Sequence, residues 1–435
     1  MVRNKVLFTW CCVAAVLMTA CDKKEKLPGK REPISGIPSM VDTRSGIDPD
    51  LMGQVVQLPP ASREHWFVDV MGNKQHTAIN HELSHKPKLL WETSIGRGPI
   101  CSDIIAYSNL LYAIDAIGEL NCVEQRSGKI VWKRMVAKQP DESSFSGGLT
   151  ADNGVVYVST NIGHVLAIDA KTGKELWNVN LKFPMKGPPL YVPGNIIVTA
   201  INNQTFALDP RNGNTLWGKT MNQEQTIMRE ASVPAVTGNS LICTYSSGDI
   251  LAIDMQDGAE LWTDTLFSGS MADSGSMISH IAASPVVIDG FALVLTSESR
   301  AAMIDVTTGI RVWEQSFGTT LTPAVIRDWA FILSNDNTLS CISLKTGRVK
   351  WTTDVKDFCD NKRSKKNRVK WIGPVLINGS VVVFSDGGDM VYFDASTGNL
   401  KKKDVFAKLP FARAPIIVDK LMFAVSEMGK LYAIG

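Results

Sequence analysis

A motif repeated seven times at near-regular intervals constrains this chain more than any other feature. A glycine is followed four residues later by a tryptophan at Gly128/Trp132, Gly173/Trp177, Gly213/Trp217, Gly258/Trp262, Gly309/Trp313 and Gly347/Trp351, and by a lysine at Gly398/Lys402. Four residues before the glycine stands Asp169, Asp209, Asp254, Asp305 or Asp394, with Glu124 and Ser343 in the other two copies. The fullest copy runs Leu166-Ala167-Ile168-Asp169-Ala170-Lys171-Thr172-Gly173-Lys174-Glu175-Leu176-Trp177. The apolar run before the aspartate makes a buried strand. The carboxylate accepts backbone N–H bonds in the turn, and glycine supplies the positive φ at which a hairpin reverses. The tryptophan falls on the returning strand, where its large area is buried between neighbouring sheets.

A second marker precedes each hairpin. Pro189, Pro234, Pro285, Pro323, Pro374 and Pro415 each open a short β-branched run, with Gly148 and Ile104 at the equivalent places. The eight starts lie 38–51 residues apart, the length of a four-stranded unit. Leu89-Leu90-Trp91-Glu92-Thr93 supplies a tryptophan strand with no hairpin before it, and Gly429-Lys430-Leu431-Tyr432-Ala433-Ile434 supplies a first strand and then stops. Joined, they complete one unit and close a ring without exposed sheet edges. The expectation is therefore an all-β, eight-bladed propeller of four-stranded blades, closed by pairing of the N- and C-terminal strands. Trp91, Trp132, Trp177, Trp217, Trp262, Trp313 and Trp351 are then structural residues of the repeat. Lys402 breaks the pattern, and its hairpin should pack less tightly against its neighbour.

Composition narrows the function. Hydrophobic residues make up 44% and charged residues 20%, a globular balance. Lys+Arg is 45 against 43 Asp+Glu; without Arg3 and Lys5 of the leader the chain is neutral, which speaks against nucleic acid as a partner. No P-loop, G-x-S-x-G, H-E-x-x-H or paired C-x-x-C is present. Residues 1–20 read as a secretory signal, with basic Arg3 and Lys5 before the uncharged run Val6 to Met18. That run ends in Met18-Thr19-Ala20-Cys21, which resembles a lipobox with Cys21 as the acylated residue. Residues 21–54 are rich in Lys, Pro, Gly and Ser and read as a flexible tether, residues 55–87 as an approach segment and residues 88–435 as the propeller. Cys101, Cys122, Cys243, Cys341 and Cys359 are odd in number and irregularly spaced, as expected of buried free thiols.

The Asp, Thr-Gly and Trp pattern resembles the repeats of pyrroloquinoline quinone (PQQ) dehydrogenases and their non-enzymatic relatives. With the lipobox and this length, residues 55–435 look like the BamB family, lipoproteins of the outer-membrane β-barrel assembly machinery. The resemblance implies a non-enzymatic scaffold on the periplasmic side of the outer membrane, with no catalytic residue, metal or cofactor. Its implied partners are the periplasmic POTRA region of a BamA-like protein, other assembly subunits and unfolded outer-membrane clients. By resemblance to enterobacterial lipoproteins, Asp22 after the acylated cysteine favours retention at the inner membrane instead. In the family a loop with a hydrophobic–Arg pair docks on the partner; Met228 and Arg229, ahead of Pro234, occupy the matching places here. A second family segment carries acids, where this chain has Ser279, His280 and Ala282.

Other groups are read as bland. His76, His81 and His85 sit in a polar segment without a cysteine and are expected to be solvated loop residues rather than metal ligands. Lys362 to Lys370 is expected to be a solvated basic loop, with an anionic lipid surface or an acidic partner as the functional alternative. The rival overall readings are a PQQ-dependent oxidoreductase or sensor, and a periplasmic propeller binding an unrelated protein. The anchor is directly testable: wild type should incorporate a fatty-acid analogue and Cys21→Ser should not, since the acyl chains supply the anchoring energy. An unlabelled wild type would refute the lipoprotein reading.

Overall fold

The computed structural model describes residues 46–435 apart from 70–71, 97–101, 138–146, 223–231, 267–279, 359–368 and 407–408. Eight antiparallel sheets stand in a ring, each meandering from an inner strand at the channel to an outer strand at the rim. Blade 1 comprises Ile105–Tyr107, Leu110–Ile114, Glu119–Glu124 and Ile130–Met135. Six more follow, with inner strands Gly147–Asp152, Leu190–Val192, Ala235–Thr237, Val286–Ile288, Ala324–Ile326 and Trp371–Ile377. Blade 8 joins the last three strands of the chain to Leu89–Ser94. Trp91 pairs with Ala433, and Lys88 and Gly435 exchange backbone bonds of 2.9 and 3.0 Å. The ring thus closes as the repeat predicts. Five of the six prolines directly precede an inner strand; Pro374 instead lies inside one, at a register shift between Ile372 and Val375 that accommodates its missing N–H.

Middle strands such as Ser380–Ser385 are buried throughout, because sheets pack against both faces. Outer strands such as Glu175–Asn180 alternate between half-buried and exposed, the period-2 signature of a sheet with one face to solvent. Each apolar cluster draws mainly on two adjacent blades. The core is therefore a circle of interfaces rather than one centre. Cys122, Cys243 and Cys341 are buried free thiols within it, and burial pushes the Cys122 and Cys243 thiols up to about 12. Cys101 and Cys359 lie outside the described residues.

One joint recurs at seven of these interfaces. The ring of each repeat tryptophan lies over the turn glycine of the next blade, from Trp91 over Gly128 to Trp351 over Gly398. All seven glycines hold φ between 69° and 76°. A Cβ on Gly398 would stand 2.5 Å from a Trp351 ring carbon, so both the backbone and the space demand glycine. Each indole N–H donates to a carbonyl of that same turn: Gln125, Ala170, Pro210, Met255, Val306, Leu344 and Ala395, at 2.6–3.1 Å. The aspartates fix the turn itself, as where Asp169 accepts from the Thr172 N–H at 2.7 Å and from its hydroxyl at 2.6 Å. Lys402 stands where the eighth tryptophan would. Its ammonium lies 4.8 Å over the Tyr392 ring, donates to the His85 carbonyl at 2.8 Å and meets Asp404 at 2.8 Å. A tryptophan has no partner there, because no hairpin joins the Lys430–Ile434 and Leu89–Ser94 strands of blade 8 to offer the turn glycine.

The segment before the ring departs from expectation. Residues 62–69 and 72–82 make a belt around the channel on the hairpin-turn face, touching every blade in turn. Glu64 accepts from the Asp419 N–H of blade 8, and Phe67 pairs with Ala106 of blade 1. Val68 accepts from Ala151, and Asp69 from the Thr150 hydroxyl at 2.6 Å, on blade 2. Lys74 covers the Tyr191 ring of blade 3 and accepts from Val236 of blade 4. Gln75 accepts from Val287 of blade 5, and Ala78 donates to Val325 of blade 6. Asn80–His81 adds a parallel fifth strand to blade 7, and Ser62 binds Asn80 to close the belt on itself. His76 and His81 are accordingly buried, not solvated; burial lowers each to about 4, and His76 Nδ1 stands 2.7 Å from the Pro285 carbonyl oxygen. His85 is exposed as expected.

Docking also begins earlier than residue 55. Asp48 donates its N–H to Val349 on the outer strand of blade 6, and Leu51 of helix α1 (Pro49–Met52) is buried there. The buried Lys350 ammonium donates to the Leu51 and Met52 carbonyls at 2.5 and 3.2 Å. Val56 donates to the Ser396 hydroxyl of blade 7.

Removing one joint should be costly. Trp351→Ala should lose roughly 3–5 kcal/mol, since the ring is nearly fully buried and leaves a cavity. Lys402→Ala should lose about 1 kcal/mol or less, the worth of an exposed cation over a ring. Denaturant unfolding that gave both variants the same loss would contradict the joint.

Candidate docking face

With the belt on the hairpin-turn face, the opposite face carries the connections between blades. Short polar groups tie these connections together. The Val233 N–H donates to the Ser284 hydroxyl at 3.0 Å, and the Ser284 N–H donates to the Thr322 hydroxyl at 3.1 Å, linking blades 4, 5 and 6. Ser232 and Thr244 share a hydroxyl bond of 2.5 Å. The Ser246 hydroxyl donates to Asn203 Oδ1 at 2.8 Å, and Asn335 Nδ2 donates to the Ser297 carbonyl at 2.6 Å. These bonds hold the stems of the face rigidly.

Met228, Arg229 and Ser279 lie outside the described residues, as does most of the basic stretch up to Arg368. Their flanks are described: Ser232 and Val233 enter blade 4, and the segment from His280 to Pro285 enters blade 5 beside them. His280, expected at the docking surface, is wholly buried, and so is Ala282. The His280 carbonyl accepts from Ser297, and its Nε2 stands 3.5 Å from the Lys186 ammonium of the connection between blades 2 and 3. An acid restored at position 280 would therefore face the interior rather than a partner.

Lys186 is the residue that sequence reading missed. Its ammonium is buried, and burial lowers it to about 8. The available signal was a lysine placed between apolar and proline residues, Phe183-Pro184-Met185-Lys186-Gly187-Pro188, directly before a strand. Among the described residues no three His, Cys, Asp or Glu side chains are grouped to hold a metal.

Fold and joint together define a PQQ-like-repeat propeller. The family model described as outer membrane protein assembly factor BamB matches residues 116–353, and the chain belongs to that family. An uncharacterized protein of Rickettsia conorii is 24% identical over 372 residues, covering 84% of this chain and 89% of that one. The outer membrane protein assembly factor BamB of Yersinia pestis is 21% identical over 366 residues, covering 81% and 90%. The crystal structure of BamB from Moraxella catarrhalis superposes with a TM-score of 0.68 at 19% identity, over 80% of this chain and 99% of that one. A quinohemoprotein alcohol dehydrogenase from Comamonas testosteroni shares the fold at a TM-score of 0.64 and 12% identity, over 86% and 81%.

The buried lysine predicts its own pH signature. Its folded value of about 8 lies below the ordinary 10.5, so between these values the unfolded chain binds more protons and stability rises with pH. At pH 7 the charge costs about 3 kcal/mol relative to an exposed lysine. Lys186→Met should raise the melting temperature at pH 7, and the advantage should shrink as pH rises from 8 to 10.5. A variant no more stable than wild type across that window would contradict the assignment.

Proposed function

We propose that the chain is a non-enzymatic scaffold, anchored through acylated Cys21 on the periplasmic side of the outer membrane. The ring docks on the POTRA region of a BamA-like partner through the blade 3–4 connection that carries Met228 and Arg229. The observation that supports this reading is that the described belt residues bond along the hairpin face, while on the other face the described stems entering blades 4, 5 and 6 are cross-tied from blade to blade. Family membership supports the assembly role. Stems cross-tied by hydrogen bonds suit a docking surface, which requires no bond-making residue. An apolar side chain beside a guanidinium suits a hot spot, the one desolvated and the other offering several directed bonds. The quinoprotein alternative draws on shared fold alone, and bound PQQ absorbance in the purified chain would favour it.

Met228→Ala combined with Arg229→Ala should weaken binding to the partner's periplasmic region by roughly 2 kcal/mol or more. Its melting curve should shift little, because surface substitutions stay within about 0.5 kcal/mol. Titration of the purified partner region against wild type and variant measures this. Undiminished affinity in the double variant, with loss on neutralising Lys362 to Lys370, would move the docking site to the basic stretch.

A further inference from the structure

The connection between blades 2 and 3 reads Leu181-Lys182-Phe183-Pro184-Met185-Lys186, an apolar run punctuated by two lysines. Main-chain bonds knit it to the turns on either side. Leu181 donates to the Gly163 carbonyl at 2.9 Å and Met185 to Thr160 at 3.0 Å, both on blade 2. On blade 3, Ile201 donates to the Pro184 carbonyl and Lys186 to Thr199, each at 2.9 Å. The Phe183 main chain lies against Gly163, where a Cβ would stand 3.0 Å from the Phe183 carbonyl oxygen. Lys182 holds φ at 67°, a left-handed backbone that a lysine rarely adopts, and donates its N–H to Asn180 Oδ1 at 2.7 Å. This path buries Met185 and Lys186 and leaves Phe183 outside.

The seam therefore carries an apolar patch, with Ile162 41% exposed, Phe183 38% and Ile201 36%. A phenylalanine held outward by a strained neighbour and flanked by two isoleucines is a cost that folded chains carry at contact surfaces. On the same face, the turns joining the second and third strands of blades 4–7 are polar: Ser246-Ser247, Glu298-Ser299, Asn335-Asp336 and Asp386-Gly387. Blade 1 has half-buried Ile117 there, and blade 8 has exposed Met428 beside Glu427. Charge at the seam has one sign. Residues 176–208 contain Lys182 and Lys186 and no Asp or Glu. Lys182 is exposed and makes no ion pair among the described residues. Lys186 lies beneath, its ammonium against His280 rather than a carboxylate. The patch is also continuous with the stem of the proposed docking connection. Asn203, in the same turn as Ile201, accepts from the Met221 N–H at 3.1 Å and donates to the Asn222 carbonyl at 2.6 Å. From Asn222 the chain runs on toward Met228 and Arg229.

We infer that the partner's footprint extends over the seam between blades 2 and 3. There the partner presents an apolar side chain, seated among Ile162, Phe183 and Ile201, next to a carboxylate that pairs with Lys182. This rests on the docking proposed above and adds a second contact with the partner chemistry that fits it. The apolar group supplies desolvated area, and the ion pair fixes register and steers approach.

The test titrates the purified periplasmic region of the partner against the mature chain and its variants. Phe183→Ser with Ile162→Ser should weaken binding at least tenfold. Its melting curve should shift little, since both side chains are exposed. Should that pair prove unfolded, Ile201→Ser alone should weaken binding at least threefold. Lys182→Gly keeps the left-handed backbone and removes the cation. It should weaken binding about threefold at low salt and match wild type at about 0.5 M salt, where the ion pair is screened. Met428→Ser, an exposed apolar group of the same face, should stay within twofold. Seam variants that bind like wild type, or an equal loss in Met428→Ser, overturn the seam contact. A loss confined to the Met228→Ala, Arg229→Ala variant then leaves the docking reading standing. No binding by wild type, or no loss in any of these variants, overturns both.

Discussion

The architecture depends on one joint, a tryptophan of one blade seated on the turn glycine of the next. Its parts are mutually required. The turn needs positive φ, the ring needs the space a Cβ would fill, and the indole N–H needs a carbonyl that only this turn presents at 2.6–3.1 Å. Each tryptophan removes a large apolar area from water while satisfying its single polar atom, which is why it outperforms phenylalanine or leucine at this position. Because the joint links blade to blade, the contributions are coupled around a closed ring and will not sum independently. Lys402 follows from the same logic. At the blade where the chain ends there is no turn glycine to sit on, and a lysine that reaches the His85 carbonyl suits the interrupted corner better than an unpartnered indole.

Closing a ring of sheets hides the outer interfaces but leaves the inner strands with one free edge each. Such edges carry unpaired N–H and C=O groups that invite further pairing. The belt answers this on one face. It supplies backbone partners to Ala106, Ala151, Val236, Val287, Val325, Asp419 and the Trp371–Ile377 strand. Its burial has consequences for chemistry: His76 and His81 lose their ordinary proton affinity because the charged forms cannot be solvated there.

What the sequence disclosed and what it hid divide along this line. The blades were legible because their bonds run through side chains that recur, with Asp, Gly and Trp at fixed offsets. The belt was not, because it pairs through main-chain atoms, which any residue type supplies. Residues 62–69 and 72–82 therefore read as a polar approach segment while forming a structural circuit. Helix α1 left one trace: Lys350 stands where other copies place leucine or valine before the tryptophan, and only a donor to the Leu51 and Met52 carbonyls explains a lysine buried there. His280 misled for a different reason. A position ahead of a strand-opening proline reads as surface, yet His280 is wholly buried, with its Nε2 3.5 Å from the Lys186 ammonium.

Burying Lys186 opposes folding, and neither the ring closure nor the belt requires it. Small hydroxyls and amides on this face bond one another, among them Ser232 with Thr244 and Ser246 with Asn203. A methionine would fill the same volume without the charge penalty. The destabilising choice lies among the described connections between blades, beside His280. Proteins tolerate such costs most often where a surface must do more than hold itself together. Among the described residues the two faces thus differ: the belt supplies backbone partners along the hairpin face, and Lys186 is buried among the connections of the other. That asymmetry supports the proposal that the loop face is the one that docks.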